Sequence, residues 1–305
     1  MEEFDTSKLM NLDECVIDAL NLLSKTKLPS LDILKKYKRP LVVGSGNAAV
    51  TGRIIFEDVD AVFANEGTYE KKIDNVEGID GAILISASGG KHAPKIAKDL
   101  KERGLEVWLF TCNPEALAKE HVDEDKTLVY PKNPEPYTYN DSTYKGMILS
   151  RTNEDPKQIL NYIKTEVDPL IPPNLADYDA FYLIVSPEFD NIREMLLTKF
   201  DELFGSKISG RVYTPEQTKH AKTVVPSDKE MFISFGYNNQ LFGNENARLN
   251  IPLPENAGYA AMMAIAYYVI GKIQAQNEPF FKKNIVAYCE KASNIFGQKI
   301  EPIVK

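Results

Sequence analysis

Short apolar runs of strand length, each followed by a glycine- or proline-punctuated stretch of helical spacing, recur along this chain and limit what it can fold into. Pro40 to Val43, Asp60 to Ala64, Ala82 to Ile85 and Val107 to Thr111 read as strands. Asn47 to Phe56, Ala93 to Arg103 and Pro114 to Lys119 read as the helices among them, with Gly104 as a C-cap. Continuous apolar strands alternating with helices predict a parallel sheet covered on both faces. Ahead of them, Leu12, Val16, Ala19, Leu22 and Leu23 give Leu9 to Ser24 the spacing of an amphipathic helix.

The rhythm breaks and then resumes. Pro131, Pro134 and Pro136 exclude a continuous helix or central strand from Tyr130 to Tyr144, which is either a linker or a loop carrying function. Asp141-Ser142-Thr143 offers caps for a helix through Lys145 to Leu149, and Pro169, Pro172 and Pro173 make a second break. Phe181 to Ser186, Gly210 to Thr214, Met231 to Phe235 and Arg248 to Leu253 then read as strands. Glu188 to Phe204, Pro215 to Val224 and Tyr259 to Gln274 read as helices. The expected class is α/β, as two tandem three-layer α/β/α domains over residues 1–150 and 151–305, alike in architecture with no residue-level repeat.

Composition narrows the partners. A formal net charge of -8 argues against a nucleic-acid partner, and the 15 Tyr and 14 Phe come without a basic stripe. It leaves room for a small anion, because groups lining a pocket outweigh distant surface charge across a Debye length of about 8 Å. Cys15, Cys112 and Cys289 are odd in number and widely spaced, so neither a disulfide framework nor a zinc site is expected, and a reducing cytosol fits. The acidic start Met1-Glu2-Glu3-Phe4-Asp5 is unlike a signal peptide, and the apolar run Tyr259 to Gly271 is too short to span a bilayer.

Two turns carry the chemistry. Gly44-Ser45-Gly46-Asn47 follows the first strand and opens a helix, a geometry that points backbone N–H groups and the helix dipole at one spot. The same small residues also serve a plain tight βα turn. The third glycine of GxGxxG is missing, Asp60 is too close for the ribose acid, and GxxxxGK[ST] is absent, so dinucleotide and P-loop readings fail. The second turn, Ser86-Ala87-Ser88-Gly89-Gly90-Lys91-His92, adds two hydroxyls and a full positive charge. A ligand shared by two such turns would sit at the carboxyl ends of neighbouring parallel strands.

Gly44-Ser45-Gly46-Asn47 followed by Ser86-Ala87-Ser88-Gly89 resembles the sugar isomerase (SIS) domain, whose pattern is a glycine/serine turn and then SxSGxT. The resemblance covers roughly residues 36 to 150. It implies that Ser86 and Ser88, with Gly89 and Gly90, hold the phosphate of a phosphosugar, while Gly44, Ser45, Gly46 and Asn47 line the sugar side. Lys91 takes the family's Thr position, a departure that still supplies a suitable cation. Asn140-Asp141-Ser142-Thr143-Tyr144-Lys145 looks like the family's S-T element, which puts Ser142 and Thr143 against the ligand.

Aldose–ketose interconversion needs a carboxylate to move a proton between neighbouring carbons and a second carrier, suited to His, to open the ring. Lys199-Phe200-Asp201-Glu202 and Gln217-Thr218-Lys219-His220 resemble the base-bearing and ring-opening segments of the isomerase part of glucosamine-6-phosphate synthase, with Ala221 replacing Gly. The two-domain length is also similar to that of bifunctional phosphoglucose/phosphomannose isomerases. The resemblance implies Glu202 as base and His220 as ring opener; Glu216, near His220 in sequence, is a backup base, although a first-turn Glu ordinarily serves the helix dipole. A solvated carboxylate and a helix-capping His are the plainer readings of the same residues. His121 is expected on the surface, and His92 at a helix start or on the ligand.

The resulting expectation is a cytosolic phosphosugar isomerase that binds a sugar phosphate between two SIS domains, needs no metal or nucleotide, and forms a homodimer in which His220 reaches across. The alternatives are a non-catalytic phosphosugar-binding or sensing protein and an amino-sugar-phosphate deaminase. Neither membrane nor nucleic acid is expected as a partner.

Overall fold

The computed structural model describes residues 4–297 and 299–304; the start Met1-Glu2-Glu3 lies outside them. In chain order the helices are α1 (Leu12–Leu23), α2 (Asn47–Ile55), α3 (Tyr69–Asn75), α4 (Ala93–Glu102), α5 (Asp141–Thr152), α6 (Pro156–Tyr162), α7 (Arg193–Phe204), α8 (Pro215–Lys219), α9 (Tyr259–Gln276) and α10 (Phe280–Phe296). The strands are β1 (Pro40–Val43), β2 (Val62–Ala64), β3 (Gly81–Ile85), β4 (Val107–Thr111), β5 (Thr127–Val129), β6 (Glu135–Pro136), β7 (Ala180–Val185), β8 (Ser209–Tyr213), β9 (Glu230–Phe235), β10 (Arg248–Ile251) and β11 (Ile303–Val304). The chain divides into two compact units. Residues 25–132 and 142–153 form the first; residues before 25, 133–141 and those from 154 onward form the second. The two large sheets fall on either side of residue 150, but the segments near that point are exchanged: 133–141 cluster with the second sheet and 142–153 with the first.

The first unit holds a five-stranded sheet in the order β2-β1-β3-β4-β5, parallel throughout. β1 and β3 are buried along their whole length, which is why they read as unbroken apolar runs. Leu41, Val43, Leu84 and Leu109 pack against Ile96 and Leu100 of α4. At the sheet's amino edge, Glu106 accepts from Lys36, Tyr37 and Trp108 and pairs with Lys126. Lys36 first and Tyr37 next hold its carboxyl down to about 2, from an ordinary 4.5. Because the folded value is depressed, this carboxylate stabilises the fold above about pH 4.5 and ceases to as pH falls through about 2. Its side chain is 32% exposed, so solvent screens much of the effect. Glu106→Gln is expected to cost about 1 kcal/mol at pH 7. Urea midpoints should show the gap shrinking progressively below pH 4.5; a gap independent of pH would contradict the assignment.

The second unit holds a four-stranded parallel sheet, β10-β9-β7-β8, and a small antiparallel pair, β6 with β11. Alternation along β7 sends Tyr182 and Ile184 to one face, where they cluster with Phe232 beneath Tyr213, Tyr237 and Phe242. α7 packs on β8 and α9, and α9 packs on α1. The first amides of α9 lack helical acceptors, as in any helix. Glu154 supplies one carboxylate to three of these N–H groups, from Gly258 (2.8 Å), Ala260 (2.9 Å) and Ala261 (3.1 Å).

Several expected elements change shape. The helix expected through Val224 stops at Lys219, because His220 leaves helical geometry (ψ 61°) and Ala221 turns left-handed (φ +61°). Pro114 to Lys119 yields only a 3₁₀ turn, Leu117–His121. Glu188 to Phe204 begins as a 3₁₀ segment, Pro187–Ile192, before α7. Asp141, Ser142 and Thr143, read as caps, lie inside the first turn of α5. Among the described residues no helix is long and apolar enough to cross a membrane.

Candidate functional site

In the first sheet the chain leaves β1 for β2 on one side and β3 for β4 on the other. Such a reversal leaves a crevice at the carboxyl ends of the two middle strands, here β1 and β3. Both small-residue turns flank it.

After β1, the Gly44 N–H donates to the Ala64 carbonyl (3.2 Å). A Cβ on Gly44 would lie 2.7 Å from the backbone of Ala48, so only glycine lets the strand pass this close to α2. Ser45 and Gly46 are exposed, and Asn47, 8% exposed, opens α2. The Asn47 Oδ1 is buried without a hydrogen-bond partner. Ser45 Oγ donates to Glu66, two residues beyond β2. That bond, and His92 more weakly, hold the Glu66 carboxyl below its ordinary range.

The turn after β3 is organised by its carbonyls. The Ala87 oxygen accepts from Thr111 Oγ1 (2.8 Å) and the Cys112 N–H (3.0 Å), the Ser88 oxygen from Asn113 Nδ2 (3.1 Å), and the Gly89 oxygen from the Ala118 N–H (3.0 Å). A trans peptide points its N–H opposite its C=O. Pinning three successive carbonyls to the segment after β4 therefore turns the next three amides, Ser88, Gly89 and Gly90, the other way. The Ser88 N–H has no partner among the described residues. The Gly89 N–H makes long bonds to Ser86 O and Oγ (both 3.2 Å), and the Gly90 N–H one to Ser88 Oγ (3.3 Å). Rotatable hydroxyls, rather than fixed carbonyls alone, thus hold these donors. Gly89 has φ +61°, and a Cβ there would stand 2.3 Å from the Ala116 methyl, so the tight bend requires glycine. Lys91, also left-handed (φ +50°), and His92 are exposed at the start of α4. Three amides, two hydroxyls, a lysine and a helix start suit an oxyanion.

Ser142 and Thr143 are fully buried in α5, and Thr143 Oγ1 has no hydrogen-bond partner. The Asp141 N–H ahead of them donates to the buried Glu135 carboxylate (2.7 Å).

In the second unit, Lys199 is 0% exposed and its Nζ donates to Glu202 Oε2 (2.5 Å) and to the carbonyls of Thr138 (2.8 Å) and Tyr139 (3.2 Å). The Glu202 side chain is 24% exposed, reachable from solvent on one side and tied to Lys199 on the other. Phe200 lies against Phe181 and Gly210, at the amino-terminal ends of β7 and β8, so Glu202 in the last turn of α7 belongs to the amino edge of this sheet. His220 is exposed beyond the carboxyl end of β8. A five-residue strand spans about 16 Å at about 3.3 Å per residue, so one copy does not bring Glu202 and His220 together. Glu216 pairs with Lys219 (2.5 Å) on the surface, and His121 is half-buried. Among the described residues no His, Cys, Asp and Glu cluster could hold a metal.

Sequence reasoning missed Glu66. The signal was positional: it stands two residues past β2 as Ser45 stands two past β1. It also treated Lys199 only as part of a motif, because its carbonyl partners lie 61 and 60 residues away.

No family model and no curated protein matches the chain. Solved structures do. Glucosamine-6-phosphate deaminase from Thermotoga maritima superimposes with a TM-score of 0.66 at 18% identity, over 89% of this chain and 97% of that one. The C-terminal domain of glucosamine-fructose-6-phosphate aminotransferase from Francisella tularensis gives 0.64 at 13% identity, over 89% and 98%. Tagatose-6-phosphate ketose/aldose isomerase from Escherichia coli gives 0.61 at 12% identity, over 88% and 89%. At these identities the likeness is one of architecture, and it agrees with the motifs: the chain has a SIS-like α/β fold with two mainly parallel sheets.

Proposed function

We propose that this protein binds a sugar phosphate on the turn after β3 and interconverts its aldose and ketose forms. The carrying observation is the Ser88, Gly89 and Gly90 amides, turned away from the pinned carbonyls and gathered with Ser86 and Ser88 hydroxyls at the β1/β3 crevice. In the proposed reaction Glu202 takes the proton from the carbon beside the carbonyl and returns it to the neighbouring carbon. His220 moves the proton that opens the ring. Because Glu202 and His220 sit at opposite edges of one sheet, the pair is proposed to form across two copies, Glu202 from one and His220 from the other. Likeness to structures described as a sugar-phosphate isomerase and deaminase supports the substrate class.

The exposed left-handed Lys91, at the place of the family's Thr, favours a second reading in which the protein binds a phosphosugar without turning it over. One experiment separates the two. Incubated with glucose 6-phosphate or fructose 6-phosphate in deuterated water, the isomerase is expected to exchange deuterium into the carbon beside the carbonyl, seen by proton NMR. Binding without exchange would establish the second reading; absence of binding would overturn both.

A further inference from the structure

The second sheet also reverses its winding. The chain leaves β7 for β8 on one side and β9 for β10 on the other, so a crevice opens at the carboxyl ends of β7 and β9. A cavity of about 730 Å³ lies there, walled by the loops after β7, β9 and β10. That volume is ordinary for a small-molecule site.

This crevice lacks what makes the 86–90 turn an anion cradle. Pro187 has no N–H, and the Phe189 N–H is spent on the Ser186 carbonyl (2.9 Å). Ser186 Oγ is spent on the Phe235 carbonyl (3.2 Å). At the α9 start, next to Ala257 in the cavity wall, the Gly258, Ala260 and Ala261 amides already hold the Glu154 carboxylate. No Lys, Arg or His lines the cavity. Lys219, which acts on Tyr237 in its wall, is paired with Glu216.

The lining is acidic instead. Glu188 follows β7 and Glu255 follows β10, and neither carboxylate has an ion pair or hydrogen bond among the described residues. β7 and β10 flank β9, so the two loops leave the sheet two strand spacings apart, about 10 Å. The Glu188 carbonyl accepts from Tyr259 Oη (2.8 Å), which holds its backbone in place. The wall between the carboxylates is fixed as well. Asn250 Oδ1 accepts from Ser234 Oγ (2.5 Å) and the Asn239 N–H (2.9 Å), and its Nδ2 donates to Asn238 Oδ1 (3.2 Å). Gly236 (φ +66°) keeps the β9 loop tight, where a Cβ would stand 2.8 Å from Leu253. Ile251, Leu253 and Tyr237 supply apolar surface. Among the described residues no three His, Cys, Asp or Glu gather to hold a metal ion. Two unpaired carboxylates on an apolar wall offer a phosphate no partner, and offer an organic dication one at each end.

We propose that this cavity is a binding site for an alkyl diamine, with one ammonium on Glu188, the other on Glu255 and the aliphatic chain against Ile251, Leu253 and Tyr237. The test is calorimetric titration of the full chain with three probes of one chain length: cadaverine, the pentanediol with a hydroxyl at each end, and glutarate. Cadaverine is expected to bind the wild type at least about tenfold tighter than the diol, as for a charged hydrogen bond gained, and glutarate is expected not to bind. Glu188→Gln and Glu255→Gln should each weaken cadaverine about tenfold and leave the diol unchanged. Glu290→Gln, which removes an exposed carboxylate of α10 outside the cavity, should change neither. Cadaverine that fails to bind, or binds no tighter than the diol, overturns the site. So does a loss in Glu290→Gln as large as in the other two, which would assign the attraction to the general field of a chain of net charge -8. The wild-type comparison of the three probes decides even where a variant folds poorly.

Discussion

Replacing Lys199 with Met is expected to destabilise the protein by about 3 to 5 kcal/mol, the usual cost of breaking a buried charge pair from one side. The ammonium is fully buried and donates to three acceptors. Its loss leaves the Glu202 carboxylate half-buried without a countercharge, and it strips the carbonyls of Thr138 and Tyr139 of a donor. Those two lost acceptor contacts are part of that cost, not an addition to it. Those carbonyls belong to the proline-rich segment after Tyr130, so Lys199 anchors 133–141 within the second unit. Denaturant titrations check the size. The double variant Lys199→Met, Glu202→Leu should recover part of the loss, because removing both charges leaves no unpaired one. A single-variant cost below about 1 kcal/mol would show that the pair is solvated in solution.

The legible parts of this fold are the locally determined ones. β1, β3, β4, β7 and β9 were readable because strands buried on both faces are continuous apolar runs. α2 and α4 were readable because a glycine turn and a closing Gly104 bracket an apolar stripe. What escaped depends on distant partners. The α9 start is satisfied by Glu154, 104 residues away from Gly258, and no local cap announces it. β6 is a strand only because β11 pairs with it from the C-terminal end. α8 was overextended because its stop lies in the left-handed Ala221, a conformation that its residue type does not advertise. The site divides the same way. The 86–90 turn was visible from its residue types, whereas the tie between Ser45 and Glu66 exists only once β2 and β1 are paired.

Glu202→Gln is expected to lower deuterium exchange into the sugar phosphate by about 10²- to 10⁴-fold, the usual worth of a positioned general base, while changing phosphosugar affinity less than about threefold. The amide oxygen of Gln can still accept from Lys199, so the 2.5 Å contact loses charge but keeps a donor and an acceptor, and the fold should survive where Lys199→Met does not spare it. An amide has no useful basicity near neutral pH, so proton abstraction stops while the 86–90 turn, in the other unit, is untouched. Joint loss of binding and exchange would remove Glu202 from the chemistry and make it a structural carboxylate. The opposite-edge placement of His220 adds a sharper test. Glu202→Gln and His220→Ala should each be inactive alone. Mixed in equal amounts and allowed to exchange subunits, they should regain about a quarter of wild-type activity, because half of the randomly paired dimers carry one intact site out of two. No recovery in a mixture shown to have exchanged subunits would mean that the two residues do not meet across copies.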